Sequence, residues 1–403
     1  MEKLSKKISV AAFIFAFTVV LINVVSVVFP SLIAVLANYN EIEGNPYELG
    51  SWSVPIIATN VFLLCFGILY YKKSLPKIIY DSMKFITTFE VSRNVATVVF
   101  VILLFGYIGL AMEDLANDEG DTWGDFRTVE QVAKDWPFNK GAELKSLEVL
   151  HVKNFLLKSS IVVFQNIKVI PFIGTIALLS LTCFFTTLIT KKRFAGLASM
   201  LVLLQSHTFL QFDTLATYDN FWILLYLFSL YSMYKKWYLS PIAYFASLFS
   251  KPLTAAFLPM SLFFTYRAEM PKRRKILLSI SYVIILVIIA GTIFVVNIGF
   301  TRVTPFSYVD FINGFTTWSF QLRFDSLLLI FALPVTVGLF IISRRGIQQA
   351  DSVLILIAGI ILAMPLMAAL SGYNIHPYRY VSLIVFFSIG VGTLLSKSIK
   401  QEV

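Results

Sequence analysis

Apolar stretches long enough to cross a bilayer recur along the whole chain, separated by short polar segments in which basic and acidic clusters take turns. A hydrocarbon core of about 30 Å takes roughly 20 helical residues. The pattern predicts transmembrane helices at residues 10–36, 53–71, 95–112, 169–190, 194–211, 220–234, 237–250, 253–266, 276–298, 325–343, 352–370 and 380–396, about 12 spans in all. The first run follows Lys3, Lys6 and Lys7 as a signal peptide would, but its 27 residues are too many for one. They would cover about 40 Å of helix, which predicts a retained span that tilts, or bends near Pro30.

Sidedness follows from the charges. With the N-terminus inside, 22 of the 33 basic residues fall on the cytoplasmic side, against 6 of the 23 acidic ones. This is the positive-inside distribution, and it puts both termini in the cytoplasm; no residue pattern distinguishes a plasma membrane from an endomembrane, and a plasma membrane is the favoured expectation. Residues 237–266 are the critical case. One crossing there would put the cluster Arg267, Lys272, Arg273, Arg274 and Lys275 outside, whereas two short arms broken at Ser250-Lys251-Pro252 keep it inside. Each arm spans only about 21 Å of helix, so a re-entrant hairpin is the alternative to two full crossings.

Composition agrees with a membrane protein: 58% of residues are hydrophobic and 14% charged, where soluble domains carry about 25% charged residues. The net charge of +10 is scattered between apolar runs rather than gathered, so it reads as topology and not as a nucleic-acid surface. Cys65 and Cys183 each lie inside an apolar run and read as inert buried thiols. No phosphate loop, dinucleotide fingerprint or nucleophile elbow is present, and the three histidines lack zinc-ligand spacing. His207 among Gln205, Ser206 and Thr208 reads as an interhelical hydrogen-bonding group.

The one sizeable polar region, residues 113–168, predicts an extracytoplasmic loop with short interfacial helices at 129–135 and 144–163. Loops of this length are usually functional. Glu113, Asp114, Asp118, Glu119, Asp121 and Asp125 place six carboxylates in 13 residues. Such a cluster serves a solvated loop, a hard divalent cation, or general-base chemistry. Asp213 and Asp219 bracket a span end on the same side, where Asp219 also suits a helix N-cap. Lys251, Arg302, Arg323 and Arg379, the last beside His376, are outer-side cations that must be solvated, paired or bound to an anion; together they could hold a phosphate.

Three segments carry a resemblance. LQSHTFLQFDTLATYDNFWILLYLFSLYSMYKKW (204–237) is a span ending in an aromatic-Asp segment, then a helix and a basic turn. YFASLFSKPLTAAFLP (244–259) is a small-residue, Lys-Pro and Leu-Pro stretch, and HPYRYVSLIVFF (376–387) is an Arg-Tyr entry to a last span. Together they resemble the polytopic GT-C class of glycosyltransferases, which includes protein O-mannosyltransferases and aminoarabinose transferases. The resemblance covers roughly 95–396, leaving residues 1–94 as two additional spans with a basic cytoplasmic loop and 397–403 as a cytoplasmic tail. Lys251 is followed directly by Pro252, without the family's intervening glycine, and Glu113-Asp114, Asp118-Glu119 and Asp125 compete for the place of the family's loop acid.

The resemblance implies an all-α GT-C-like fold and transfer of a sugar from a polyprenyl-phosphate donor to a hydroxyl of an extracytoplasmic protein, glycan or lipid. It needs no ATP and no obligatory cofactor, with a divalent cation left open, and no nucleic-acid partner. Asp118 leads as the base, then Asp125 and Asp114, with Asp219 in support. Glu119, Asp121, Asp213, Lys251, Arg302, Arg323, His376 and Arg379 fall in the substrate site. The other readings of the same spans are a transporter or lipid flippase, and a non-catalytic scaffold subunit.

Overall fold

A computed structural model describes residues 2–36, 45–72, 74–137, 151–295, 305–371 and 376–396. Among them there is no strand. Among the described residues eight helices are long and apolar enough to cross a membrane, which makes this a multi-pass helical membrane protein. The apolar helices Arg193–Leu204 and Leu239–Ser250 are shorter than a full span. The chain forms two compact units of interleaved segments: the first holds Met1–Ala96, Cys183–Thr208 and Val303–Val403, the second Thr97–Thr182 and Phe209–Arg302.

In the first unit, the Gln349–Ser371 and Val381–Leu394 helices are mostly buried, and Glu2–Val28, Tyr308–Gln321, Ser326–Arg344 and Arg193–Leu204 pack around them. Small residues permit the close approach: a Cβ on Gly392 would stand 2.6 Å from the Ala195 carbonyl oxygen, so the helices meet backbone to backbone. Several buried hydroxyls bond within their own helix, as when Thr336 Oγ1 donates to the Ala332 carbonyl at 2.8 Å, which satisfies them without a partner from another helix. Asp351, fully buried near the start of its helix, accepts from Ser9 Oγ at 2.7 Å and ties the N-terminal helix to the core.

The second unit is built on the Phe221–Lys235 helix packed against Leu239–Ser250, with Leu258–Arg267 and Lys272–Val295 beside them. The Tyr282 hydroxyl lies 3.0 Å from Ser229 Oγ and 2.6 Å from Ser240 Oγ. The acidic loop adds the Phe126–Asp135 and His151–Phe164 helices, which enclose a small core of Phe126, Ala133, Leu157, Ile167, Ala216 and Phe221.

Several expectations were met in detail. The first run breaks into Glu2–Val28 and Pro30–Leu36, because Pro30 lacks an N–H and suits the first position of a new helix. The 237–266 stretch breaks at Lys251, where a 3-10 turn Pro252–Phe257 precedes the Leu258–Arg267 helix. The 129–135 helix begins earlier, at Phe126, and the described part of the 144–163 helix is His151–Phe164. Other details differ. The 194–211 run is interrupted after Leu204 and resumes at His207. The segments 72–94 and 299–324, expected as loops, contain helices Lys77–Thr88 and Tyr308–Gln321. Cys65, expected to be buried, is exposed on its apolar helix.

Candidate functional site

The second unit gathers a polar site where the Arg93–Ala116 helix ends. Lys168 caps that end: its Nζ donates to the carbonyls of Asp114 and, at 3.1 Å, Asn117, and a cation suits the negative end of a helix. Beyond it, Asp118 turns the chain. Its Oδ1 accepts from Gly120 N–H at 2.8 Å, which opens the Glu119–Asp121 3-10 turn, and its Oδ2 pairs with Arg127 at 2.8 Å. The Gly120 N–H and the Arg127 guanidinium hold the Asp118 carboxyl below the usual carboxylate range.

The turn sends Glu119 the other way. It is 3% exposed and accepts from Ala216 N–H at 2.7 Å, Thr217 N–H at 3.1 Å and Thr217 Oγ1 at 2.8 Å. The Trp123 ring follows it onto Phe212 and Tyr218. The acidic loop is thereby latched to the 212–220 segment. From the His151–Phe164 helix, buried Lys153 reaches the same segment, pairing with Asp219 Oδ2 at 2.9 Å and donating to the Thr217 carbonyl at 2.7 Å. Asp219 Oδ1 meanwhile accepts from Phe221 N–H at 3.2 Å; it sits one residue before the helix N-cap, which is Asn220 and not Asp219 as expected.

Asp213 is different. It is buried beside the Tyr107 hydroxyl, yet neither its Oδ1 nor the Tyr107 oxygen meets hydrogen-bond geometry with a partner among the described residues. Burial, reinforced by the charge of Asp114, pushes the Asp213 carboxyl up to about 7. No protein-family model, curated protein or solved structure matches this chain.

The remaining candidates divide by unit. Asp114, Asp121 and Asp125 are exposed in the second unit, where Lys251 Nζ stands 5.2 Å from the Trp222 ring centre. In the first unit, exposed Arg323 lies against Phe320 and Phe324, at 4.4 and 4.9 Å. There too His376 stacks on Tyr378, whose hydroxyl is 3.3 Å from Arg379 Nε. Arg302 lies outside the described residues. No group of three or more His, Cys, Asp or Glu side chains able to hold a metal ion occurs among the described residues.

Sequence reasoning passed over Tyr107, Lys153 and Lys168. The two lysines carried a signal: basic residues in a loop assigned to the side that the positive-inside rule depletes need a stated partner. Asp325 was also missed; in the first unit it is buried and accepts from Ser206 Oγ at 2.5 Å and from Thr208 N–H at 3.3 Å. Nothing in its local sequence separates it from a span-end carboxylate facing water.

The latch is testable. Glu119→Gln replaces one acceptor oxygen by an NH2 group facing a donor, at an expected cost of about 1–3 kcal/mol. Thermal unfolding in detergent would measure it, with faster protease cleavage in the 113–137 region as the loop lifts. Unchanged stability would show that Glu119 does not hold the loop.

Proposed function

We propose that the protein is a membrane glycosyltransferase of GT-C type, with about 12 spans and both termini cytoplasmic in a plasma membrane. It transfers a sugar from a polyprenyl-phosphate donor to an extracytoplasmic hydroxyl of a protein, glycan or lipid. The observation that carries this reading is Asp213, a buried carboxylate poised near neutral pH under a loop latched by Glu119.

A general base works best with a pKa near the working pH. On that ground we assign the base to Asp213 rather than to Asp118, which is held low by Gly120 and Arg127. The acceptor oxygen bonds to the anomeric carbon as the bond to the lipid phosphate breaks, the phosphate leaves with the electron pair, and Asp213 takes the hydroxyl proton. Because Asp213 is buried, the acceptor reaches it when the Trp123 side of the loop lifts. Lys251, beside the Trp222 ring, is assigned to the departing phosphate, to which a cation contributes charge-assisted hydrogen bonds.

The test is sugar transfer from a radiolabelled polyprenyl-phosphate donor pool in membranes carrying wild type, Asp114→Asn, Asp118→Asn or Asp213→Asn, matched for folded protein. The expected result is loss of transfer of a hundredfold or more, on the order of a general base's contribution, in Asp213→Asn. Wild-type transfer should rise with pH through about 7. A rate already flat above pH 5, with loss only in Asp118→Asn, would return the base to Asp118. The buried Asp213–Tyr107 neighbourhood also favours a second reading, a proton-coupled transporter. That reading gains if no donor yields transfer while proton uptake depends on Asp213.

A further inference from the structure

The segment joining the Ser53–Tyr71 and Arg93–Ala116 helices contains the Lys77–Thr88 helix. At 3.6 residues per turn, Ile78, Ile79, Met83, Phe85 and Ile86 share one face, and Lys77, Asp81, Lys84 and Thr88 the opposite one. No residue of this helix is buried; Ile78 is 80% and Phe85 63% exposed. A 12-residue helix is marginal alone in water, and among the described residues of its own unit none buries its apolar face.

Its location says what does. A few residues separate it from helices of spanning length on both sides, so it must lie at a membrane face. Both ends are anchored within the first unit. The Tyr80 ring stacks on Tyr70 at 5.7 Å. At the other end, Lys192 Nζ donates to the Thr87 carbonyl at 2.9 Å, and Arg193 N–H to Glu90 Oε1 at 3.0 Å. This second anchor brings the exposed side chains of Lys191 and Arg193 to the helix, alongside exposed Lys72, Lys77 and Lys84. The acids facing this set are Asp81 and Glu90, the latter engaged by the Arg193 backbone.

We propose that the Lys77–Thr88 helix lies in the headgroup layer, its apolar face in the acyl boundary, and that its lysines with Lys72, Lys191 and Arg193 form a binding surface for anionic phospholipid headgroups. An amphipathic helix with basic residues on its polar side binds such a layer through apolar burial and charge attraction together. The surface is independent of the reading of the acidic loop.

The test uses the full chain in vesicles of phosphatidylcholine, alone or with phosphatidylglycerol, after Cys65 and Cys183 are replaced by alanine. Nitroxide labels at Ile79→Cys and Phe85→Cys should be accessible to oxygen dissolved in the bilayer, and labels at Asp81→Cys and Thr88→Cys to an aqueous nickel chelate. A fluorophore at Ile79→Cys should be quenched more by spin-labelled phosphatidylglycerol than by spin-labelled phosphatidylcholine. Each of Lys77→Gln and Lys84→Gln should lower that preference about fivefold. All four labelled positions lie on exposed sites, so folding is not at stake. Four water-accessible labels, or four shielded from both reagents by protein, would overturn the proposal. So would a lipid preference that is absent, or that ignores the lysines.

Discussion

Lys153→Met is expected to destabilise the second unit by about 3–5 kcal/mol, because it leaves the Asp219 carboxylate buried without its cation. The two side chains are only 10% and 5% exposed and meet at 2.9 Å. The same lysine donates to the Thr217 carbonyl, beside the Thr217 N–H and hydroxyl that Glu119 engages, so its loss loosens the loop from both directions. The double variant Lys153→Met with Asp219→Asn removes the stranded charge as well as the pair, and should recover much of the loss, since a buried pair as a whole is worth far less than the penalty of breaking it. Thermal unfolding of wild type, both single variants and the double variant in detergent closes the cycle. A silent Lys153→Met would mean that the pair is solvated and that the loop is not held from this side.

The second large effect is a pH dependence of stability that originates in Asp213. Its carboxyl lies at about 7 in the folded protein against an ordinary value of 3.8, mainly through burial. The folded state therefore holds a proton between roughly pH 4 and 7 that the unfolded chain releases, and stability falls as pH rises through that window. The contribution is complete below about pH 4 and amounts to about 4 kcal/mol at most. Asp213→Asn mimics the protonated form. It should flatten this part of the profile and make the protein more stable than wild type at pH 8. Thermal unfolding of both proteins at pH 5 and pH 8 gives the difference directly, and the subtraction cancels the titrating groups that do not interact with Asp213. Equal pH dependence in the two proteins would show that the carboxyl is not perturbed. Combined with the transfer assay the result is decisive: a variant that gains stability at pH 8 and loses transfer has lost chemistry, not fold.

Residues that follow a local rule were legible beforehand. The bend at Pro30 and the break at Lys251-Pro252 follow from proline's missing N–H and its restriction of the preceding residue, and both appear in the structure. The Phe126–Asp135 helix carries a 3.6-residue period that locates it to within a few positions. The Lys77–Thr88 helix has an equally clear period, but the basic charges around it drew the reading toward a plain loop.

The acidic loop shows where local reading stops. Asp118 and Glu119 are neighbours of similar chemistry in the sequence, and six carboxylates compete within 13 residues. One 3-10 turn separates them: Asp118 remains at the surface with Arg127, and Glu119 is buried on the backbone of Ala216 and Thr217. Nothing within a few residues of Glu119 encodes that choice, because the donors lie almost a hundred positions away. Lys153 and Asp219 are likewise paired only when the loop helix packs on the segment after Phe209.

By itself the sequence determined the membrane character, the position of most long helices, their main breaks and the segment in which the carboxylates lie. These depend on apolar run length and on backbone chemistry, which act within one or two helical turns. The tertiary structure alone decided which carboxylates are buried, which cations they meet and which one is poised near neutral pH, because desolvation and ion pairing depend on groups that only folding brings within a few ångströms.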